Sequence, residues 1–424
     1  MSFPRYPKYK PSGVEWLGDV PEHWDVVPIK WLSPVKRGAS PRPIDDPKYF
    51  DDDGEFAWVR IADVSACDGK LKQTTQRLSQ LGSTLSVKIL PGELFVSIAG
   101  TVGKPCIAAI KACIHDGFVY FPALKIDPRF LYRIFEGGVC YGGLGKLGTQ
   151  LNLNTDTVGL ICVALPPADE LNRVLEFLDR ETAKIDGLVA EQRRLMELLK
   201  EKRQAVITHA VTKGLNPHAP MKPSGIEWLG DVPEHWEIAK TSHFFKVAMG
   251  QSILAEDLIE GGEWPVFSAT DGDHYFGRIN DPKVRLNIGD IVIPARGNSI
   301  GFVKLVREPA TTTQTTIYCK PLAPGKLNAE FVYQYFRGFK ESLFYFTQTA
   351  IPQITTREVS SNPILIPPLC EQISIVSFLD PALAKFDTLA AEAQRAIDLL
   401  QERRTALIFA AVTGQIDVRN HLRN

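Results

Sequence analysis

Lys10–Val26, KPSGVEWLGDVPEHWDV, returns almost unchanged as Lys222–Ile238, KPSGIEWLGDVPEHWEI. Only three of the seventeen positions differ, each conservatively. A second echo lies at another offset. Pro166–Thr212 (PPADELNRVLEFLDRETAKIDGL…AVITHAVT) returns as Pro367–Thr413 (PPLCEQISIVSFLDPALAKFDTL…ALIFAAVT). The first pair is displaced by 212 residues, the second by 201. The chain is therefore two copies of one unit, and the stretch between the echoes has changed in length and sequence. A constant scaffold around a divergent insert points to two related readers of two different things.

The second echo predicts the longest helices. One ladder runs Leu171, Leu178, Ile185, Gln192, Leu199, Val206, and another Leu175, Thr182, Val189, Met196, Arg203, Ala210. The other half repeats them as Gln372, Leu379, Phe386, Ala393, Leu400, Leu407 and Val376, Leu383, Ala390, Ile397, Arg404, Ala411. Mostly apolar positions alternately three and four apart define a coiled-coil seam. Pro166-Pro167 and Pro367-Pro368 precede each start, and Gly214 and Gly414 lie close to the ends, as helix punctuation requires. A helix of this length extends roughly 65–70 Å at 1.5 Å per residue. The seam also fits a zipper between two copies of the chain. Two matching helices joined by the short linker 213–221, which holds Gly214, Pro217 and Pro220, instead favour intramolecular antiparallel pairing. That pairing implies a pseudo-twofold axis.

The inserts read as mixed α/β. Short strands are predicted at Phe56–Ile61, Glu93–Ile98, Phe118–Leu124, Asp290–Pro294 and Thr315–Cys319, with helices at Pro128–Phe135 and Asn328–Phe339. The four tryptophans of the first echo, Trp16, Trp24, Trp228 and Trp236, are expected to be packing anchors. A hydrophobic content of 44% and a charged content of 23% are those of a globular protein. There is no apolar run long enough for a membrane span, and MSFPRYPKYKPSG lacks the apolar stretch of a secretory signal, so no leader is expected. The seven cysteines form no CxxC pair, so free thiols in a cytoplasmic location are expected. The net charge is −1. Residues 27–165 carry 16 basic and 13 acidic side chains, and residues 239–366 carry 13 and 12. Charge alone does not point to nucleic acid, and any phosphate neutralisation must come from local patches or a partner.

The chain resembles the specificity subunit of Type I DNA restriction–modification systems. The likeness covers essentially its whole length. It rests on the YKPSGVEWLGDVPEHW opener and on WVRIADV (58–64). It rests also on PGELFVSIAGTVGK (91–104) with IGDIVIPARGNSIG (288–301), and on the exits GTQLNLNTDTVGLICVALPP (148–167) and TAIPQITTREVSSNPILIPP (349–368). Val163-Ala164-Leu165 departs from the usual Ile-Pro-Ile-Pro approach. Ala168-Asp169-Glu170 departs from Leu-x-Glu-Gln, which the second half keeps as Leu369-Cys370-Glu371-Gln372. The resemblance implies an α+β fold with two mixed α/β target-recognition domains separated by two long helices that pair as an antiparallel coiled coil. The implied boundaries are 1–165 for the first recognition domain, 166–212 for the first helix and 213–221 for the linker. Residues 222–366 form the second recognition domain, 367–413 the second helix and 414–424 a tail. Each recognition domain would read half of a split target in double-stranded DNA, with the coiled coil as the ruler between the halves. Two methyltransferase (modification) subunits and restriction–translocation subunits would be the partners.

No catalytic residue is expected in the chain. The Pro-Pro pairs follow Leu165 and Ile366 and are not the base clamp of an adenine methyltransferase. Gly100-Thr101-Val102-Gly103-Lys104 lacks the first glycine of a P-loop, and Pro105 stands where Ser or Thr is needed. No spacing suggests a metal site, and Asp51-Asp52-Asp53 reads as a solvated loop. S-adenosylmethionine, ATP and Mg are expected on partner subunits, with no cofactor here. Base edges are read by side chains that make two hydrogen bonds, arginine or lysine to guanine and asparagine or glutamine to adenine. The glycine-containing turns are the places to carry them. The candidates in the first domain are Arg37, Arg60, Lys104, Lys146, Gln150 and Asn152. In the second they are Gln251, Arg278, Arg296, Asn298, Gln314 and Gln353. More of them should touch phosphate than bases. The competing readings are a single-chain DNA-modifying enzyme and a two-headed protein-binding scaffold.

Overall fold

Proline pairs and left-handed glycines bound two long helices, which in the computed structural model run Ala168–Lys213 and Leu369–Val412. The structure describes residues 3–142, 153–270, 272, 274–323, 325–344 and 353–420, the side chain of Asn298 aside. Gly214 and Gly414 follow the helices at φ 71° and 70°, a conformation that suits a residue without Cβ. A Cβ on Gly414 would lie 2.4 Å from Cδ of Pro21, and one on Gly214 3.2 Å from the Trp236 ring. Every position of the heptad ladders is buried or half-buried.

The chain forms two compact units that do not follow chain order. One is Met1–Gln192 with Arg395–Asn424, the other Arg193–Gln394. Each unit thus holds half of each long helix. In the first, Leu171, Val174, Leu175 and Leu178 share a core with Ile408, Ala411 and Val412. In the second, Ile207, Ala210 and Val211 share a core with Ile375, Leu379 and Leu383. Residues early in one helix meet residues late in the other, so the pairing is antiparallel and within the chain. A buried Leu or Ile contributes about 1.5–3 kcal/mol of transfer free energy, and the seam repeats that gain at each turn.

The first echo folds the same way twice. Tyr9–Pro11 pairs antiparallel with Asp19–Pro21, and Met221–Pro223 with Asp231–Pro233, in the same register. Trp24 and Trp236 are fully buried. Both do more than fill space. The indole N–H of Trp24 donates to Glu170 Oε1 at 2.9 Å, and that of Trp236 to Glu371 Oε2 at 3.0 Å. The preceding histidines join the same carboxylates, His23 to Glu170 at 2.8 Å and His235 to Glu371 at 2.6 Å. Each opener is thereby tied to the first turn of a long helix. Trp16 is half-buried and Trp228 is 36% exposed, so the first indole of each opener is a weaker anchor than expected. Trp228 lies against Phe339, ring centroids 5.0 Å apart.

Each insert is closed at its neck by one two-stranded ladder. Asp25–Pro28 pairs antiparallel with Cys162–Leu165, and Glu237–Lys240 with Pro363–Ile366. The chain therefore leaves and regains the scaffold at one place. The first insert has a five-stranded sheet, ordered Lys36–Arg37, Phe118–Tyr120, Leu94–Ser97, Pro105–Ala108, Lys70–Leu71. Its four-stranded sheet is ordered Gln76–Leu78, Phe56–Val59, Ala112–Ile114, Val87–Ile89. The second has a four-stranded sheet, ordered Phe245–Met249, Thr316–Pro321, Ile291–Pro294, Lys304–Leu305. Its three-stranded sheet is ordered Gly277–Ile279, Trp264–Phe267, Thr311–Thr312. The inserts share one further device. Gly92 and Gly289 take φ 94° and 92°. The next residue, Glu93 or Asp290, then accepts from the backbone N–H three residues earlier, Leu90 at 2.7 Å or Asn287 at 2.9 Å. That acidic turn launches the central strand of each insert. The helices Pro128–Gly137 and Ala329–Gly338 occupy matching places.

Candidate nucleic-acid interface

In the first insert one short helix, Ile61–Ala66, gathers two of the candidates. Arg60 precedes it, with its backbone N–H donating to Asp63 Oδ2 at 2.9 Å. The Arg60 guanidinium donates to Thr75 Oγ1, and its Nε is buried without a hydrogen bond. Lys104 closes the other end: Nζ donates to the carbonyls of Ser65 at 2.8 Å and Cys67 at 3.1 Å. These are the orphan acceptors of a helix C-terminus, where a cation is favoured. Gly100 and Gly103, at φ 66° and 84°, make the turn that delivers Lys104 to them. Arg37 stands apart on the edge strand Lys36–Arg37, exposed, donating to the carbonyl of Asp116. The Asp116 carboxylate in turn pairs with Arg42 at 3.1 Å. Ser40 donates to it and both arginines lie near, and together they outweigh burial and hold its pKa below the usual carboxylate range. Lys146, Gln150 and Asn152 lie outside the described residues.

In the second insert Arg296 and Gln353 are brought together by an isolated antiparallel bridge beyond the end of strand Ile291–Pro294, and both are exposed. Gly297 follows at φ 76°. Unlike the other exposed candidates described, Arg37 and Arg278, neither Arg296 nor Gln353 has a described side-chain hydrogen bond to the rest of the insert. Gln251 is bridged to Thr313 of the threonine-rich turn 311–316, and Gln314 lies within that turn. Their amide oxygens are occupied, Gln251 by the N–H of Val284 at 2.6 Å and Gln314 by that of Ile253 at 3.1 Å. Gly250 is obligatory beside them, since a Cβ there would lie 2.2 Å from the carbonyl oxygen of Thr313. Arg278 belongs to the three-stranded sheet and donates to the carbonyls of Gly262 and Glu263, each at 3.2 Å. The side chain of Asn298 lies outside what the structure describes.

A cysteine pair lies beside the Lys104 turn. Cys67 and Cys106 have their sulfurs 3.4 Å apart. The hydrogen bond from the deeper Cys106, with further help from the Gly69 backbone and Lys104, outweighs burial and pulls the Cys67 thiol down to about 6. Cys106 is pushed the other way by the same bond and by burial. No group of three or more potential metal ligands occurs among the described residues, and no helix there is long and apolar enough to cross a membrane.

Sequence reading did not single out Glu170 and Glu371 as partners of the repeated His-Trp pairs. The available signal was a glutamate at the same step of both helix starts, at a distance from EHW set by the length of each insert.

Residues 233–397 match the family described as the Type I restriction modification DNA specificity domain. Among characterised relatives, the Type I restriction enzyme EcoKI specificity subunit of Escherichia coli K12 is 21% identical over 441 aligned positions. That alignment covers 94% of this chain and 90% of the relative. The MjaVIII specificity subunit of Methanocaldococcus jannaschii is 23% identical over 355, covering 78% and 77%. Among solved structures, a chain of a type I R–M system covers 93% of this chain and 98% of its own length, with TM-score 0.66 and 20% identity. The HsdS subunit of Thermoanaerobacter tengcongensis covers 94% and 98%, with TM-score 0.50 and 18% identity. Over nearly its whole length the chain is similar to Type I restriction–modification specificity subunits, and the duplicated opener, the necked inserts and the antiparallel helices accompany that likeness.

Proposed function

We propose that the chain is the DNA-reading, non-catalytic subunit of a Type I restriction–modification assembly, and that each insert reads one half of a bipartite target. The observation that carries this is the neck. The same two-stranded ladder holds each insert to the same Trp–Glu–helix scaffold, while the interiors differ in sheet order and surface. An insert held at one neck can diverge without disturbing what lies below it. Arg296 and Gln353 are the leading base-reading pair of the second insert. Lys104, whose ammonium is engaged with helix carbonyls, acts on the first by fixing the Gly100–Gly103 turn. The duplicated scaffold offers two equivalent surfaces, which suits two methyltransferase subunits. Those would hold S-adenosylmethionine, and restriction–translocation subunits would hold ATP and Mg. Neither the single-chain enzyme nor the protein-binding scaffold is supported by the relatives found.

The test is selection of duplexes from a random library by the chain assembled with its methyltransferase subunits. Two specified blocks separated by an unspecified gap of fixed length are expected. Enrichment of one continuous block, or of none, refutes the reading.

A further inference from the structure

The repeat supplies an internal control for scaffold side chains, and around Arg404 the two units differ in charge. In the first unit Arg404 lies 3.0 Å from Glu136 and 2.8 Å from Asp186, while Arg133 lies 2.8 Å from Glu136 and 2.7 Å from Asp179. Glu136 sits at the centre of a closed network. At the 201-residue offset its counterpart is Arg337, that of Arg404 is Arg203, and that of Arg133 is Gln334. The central carboxylate has become a second guanidinium.

The network of the second unit is accordingly open. Among the described residues Arg203 pairs only with Asp387, the counterpart of Asp186, at 3.4 Å from Nε. That Nε is buried and makes no hydrogen bond, and neither does the buried Oε1 of Gln334. Burial and the facing Arg337 push the Arg203 pKa below its ordinary value, whereas Glu136 and Asp186 overcome burial and raise that of Arg404. A cavity of about 690 Å³ lies against Arg203 and Arg337, compared with about 440 Å³ at the place in the first unit lined by Arg404 and Glu136. Lys200 and Lys340 line it too, and Tyr333 and Phe302 add aromatic surface. Three glutamates also line it. Among the described residues the ion pair found for them is Glu341 with Lys340, at 3.4 Å.

We propose that this cavity binds a phosphate group between Arg203 and Arg337. Two half-buried guanidiniums without a shared carboxylate are costly unless an anion bridges them. Their planar forks match phosphate oxygens two at a time. The volume is that of a nucleotide-sized ligand site, and the aromatic surface suits a flat ring. The phosphate is carried either by a free nucleotide-class anion or by a nucleic-acid backbone.

The test uses the intact chain, calorimetric titration with inorganic phosphate and with ATP, and the variant Arg337→Glu, which restores the central carboxylate of the first unit. The wild type should bind one anion per chain. Arg337→Glu should bind at least tenfold more weakly and melt at a higher temperature without ligand, because Arg203 regains a carboxylate. A target-free duplex that displaces the anion, with a salt slope lower by about one in Arg337→Glu, assigns the phosphate to backbone. Failure to displace it assigns it to a free anion. No binding of phosphate or ATP together with an unchanged DNA salt slope overturns the proposal. So does equal affinity in the variant, a lower melting temperature, or binding of an acidic peptide alone.

Discussion

Glu170 and Glu371 show how one residue type carries different energy in two copies of a scaffold. The Glu170 carboxylate is 8% exposed and accepts from Trp24 and also from Tyr6. The Glu371 carboxylate is 37% exposed and accepts from Trp236. Removing Glu170 strands two donors, the fully buried Trp24 indole and the Tyr6 hydroxyl. Glu170→Ala should therefore cost about 3 kcal/mol and Glu371→Ala about 1 kcal/mol, since an orphaned buried donor costs about 1–3. Denaturant unfolding that shows equal losses would contradict this. Cys67 offers a pH test at the same scale. Its pKa of about 6 makes it a thiolate at neutral pH, while an ordinary thiol near 8.5 is still protonated. Iodoacetamide labelling of Cys67 should rise through pH 6 and level off by about pH 7, and Cys106→Ala should move the midpoint upward. A midpoint near 8.5 in the unmodified protein would refute the paired geometry.

At the scale of elements, the heptad ladders were legible because burial in a two-helix seam repeats every 3.5 residues, and all of those positions are at least half-buried. The helix ends were legible from proline and glycine. The strands predicted at Phe56, Glu93, Asp290 and Thr315 are present as Phe56–Val59, Leu94–Ser97, Ile291–Pro294 and Thr316–Pro321. Strand order was not legible, because parallel pairs such as Ala112–Ile114 with Phe56–Val59 join segments far apart in sequence without a local signal. The candidate site was legible only in part. Arg296 was singled out for its glycine turn, but its bridge to Gln353 crosses more than fifty residues of chain. Lys104 is a DNA-contact candidate from its glycine-containing turn, and only the fold reveals the helix carbonyls it meets. One local rule is broken in the seam: Pro381 lies inside the second long helix, at the counterpart of Arg180, and removes one backbone hydrogen bond. The seam also sets a length test. One heptad inserted into each long helix extends each by about 10 Å and keeps the apolar face in register. In the proposed reading the gap between specified blocks should lengthen by about three base pairs, at 3.4 Å per pair. Insertion of three residues rotates the face by about 300° and should abolish assembly. An intact complex with an unchanged gap would sink the ruler idea.

For the whole molecule, the neck ladders separate what is read from what is held. The strand Glu237–Lys240 and its partner Pro363–Ile366 close the second insert on itself, and residues beyond the neck contribute Trp236, Glu371 and the helix seam. Replacing residues 241–362 by the matching insert of a relative keeps both neck strands and the Trp236–Glu371 bond. The buried contacts of Phe331 and Tyr335 with the scaffold core are also kept if the donor carries aromatic residues there. The ends of the insert are held together by four backbone-paired positions, so the loop-closure entropy is the same for any insert of similar length. The expected outcome is a hybrid that assembles with the same methyltransferase subunits, methylates the first half-target unchanged, and acquires the donor's second half. Genome-wide methylation mapping reads both halves at once. A target altered in both halves would mean that the inserts do not read independently. A target altered in neither would mean that residues 241–362 do not read at all.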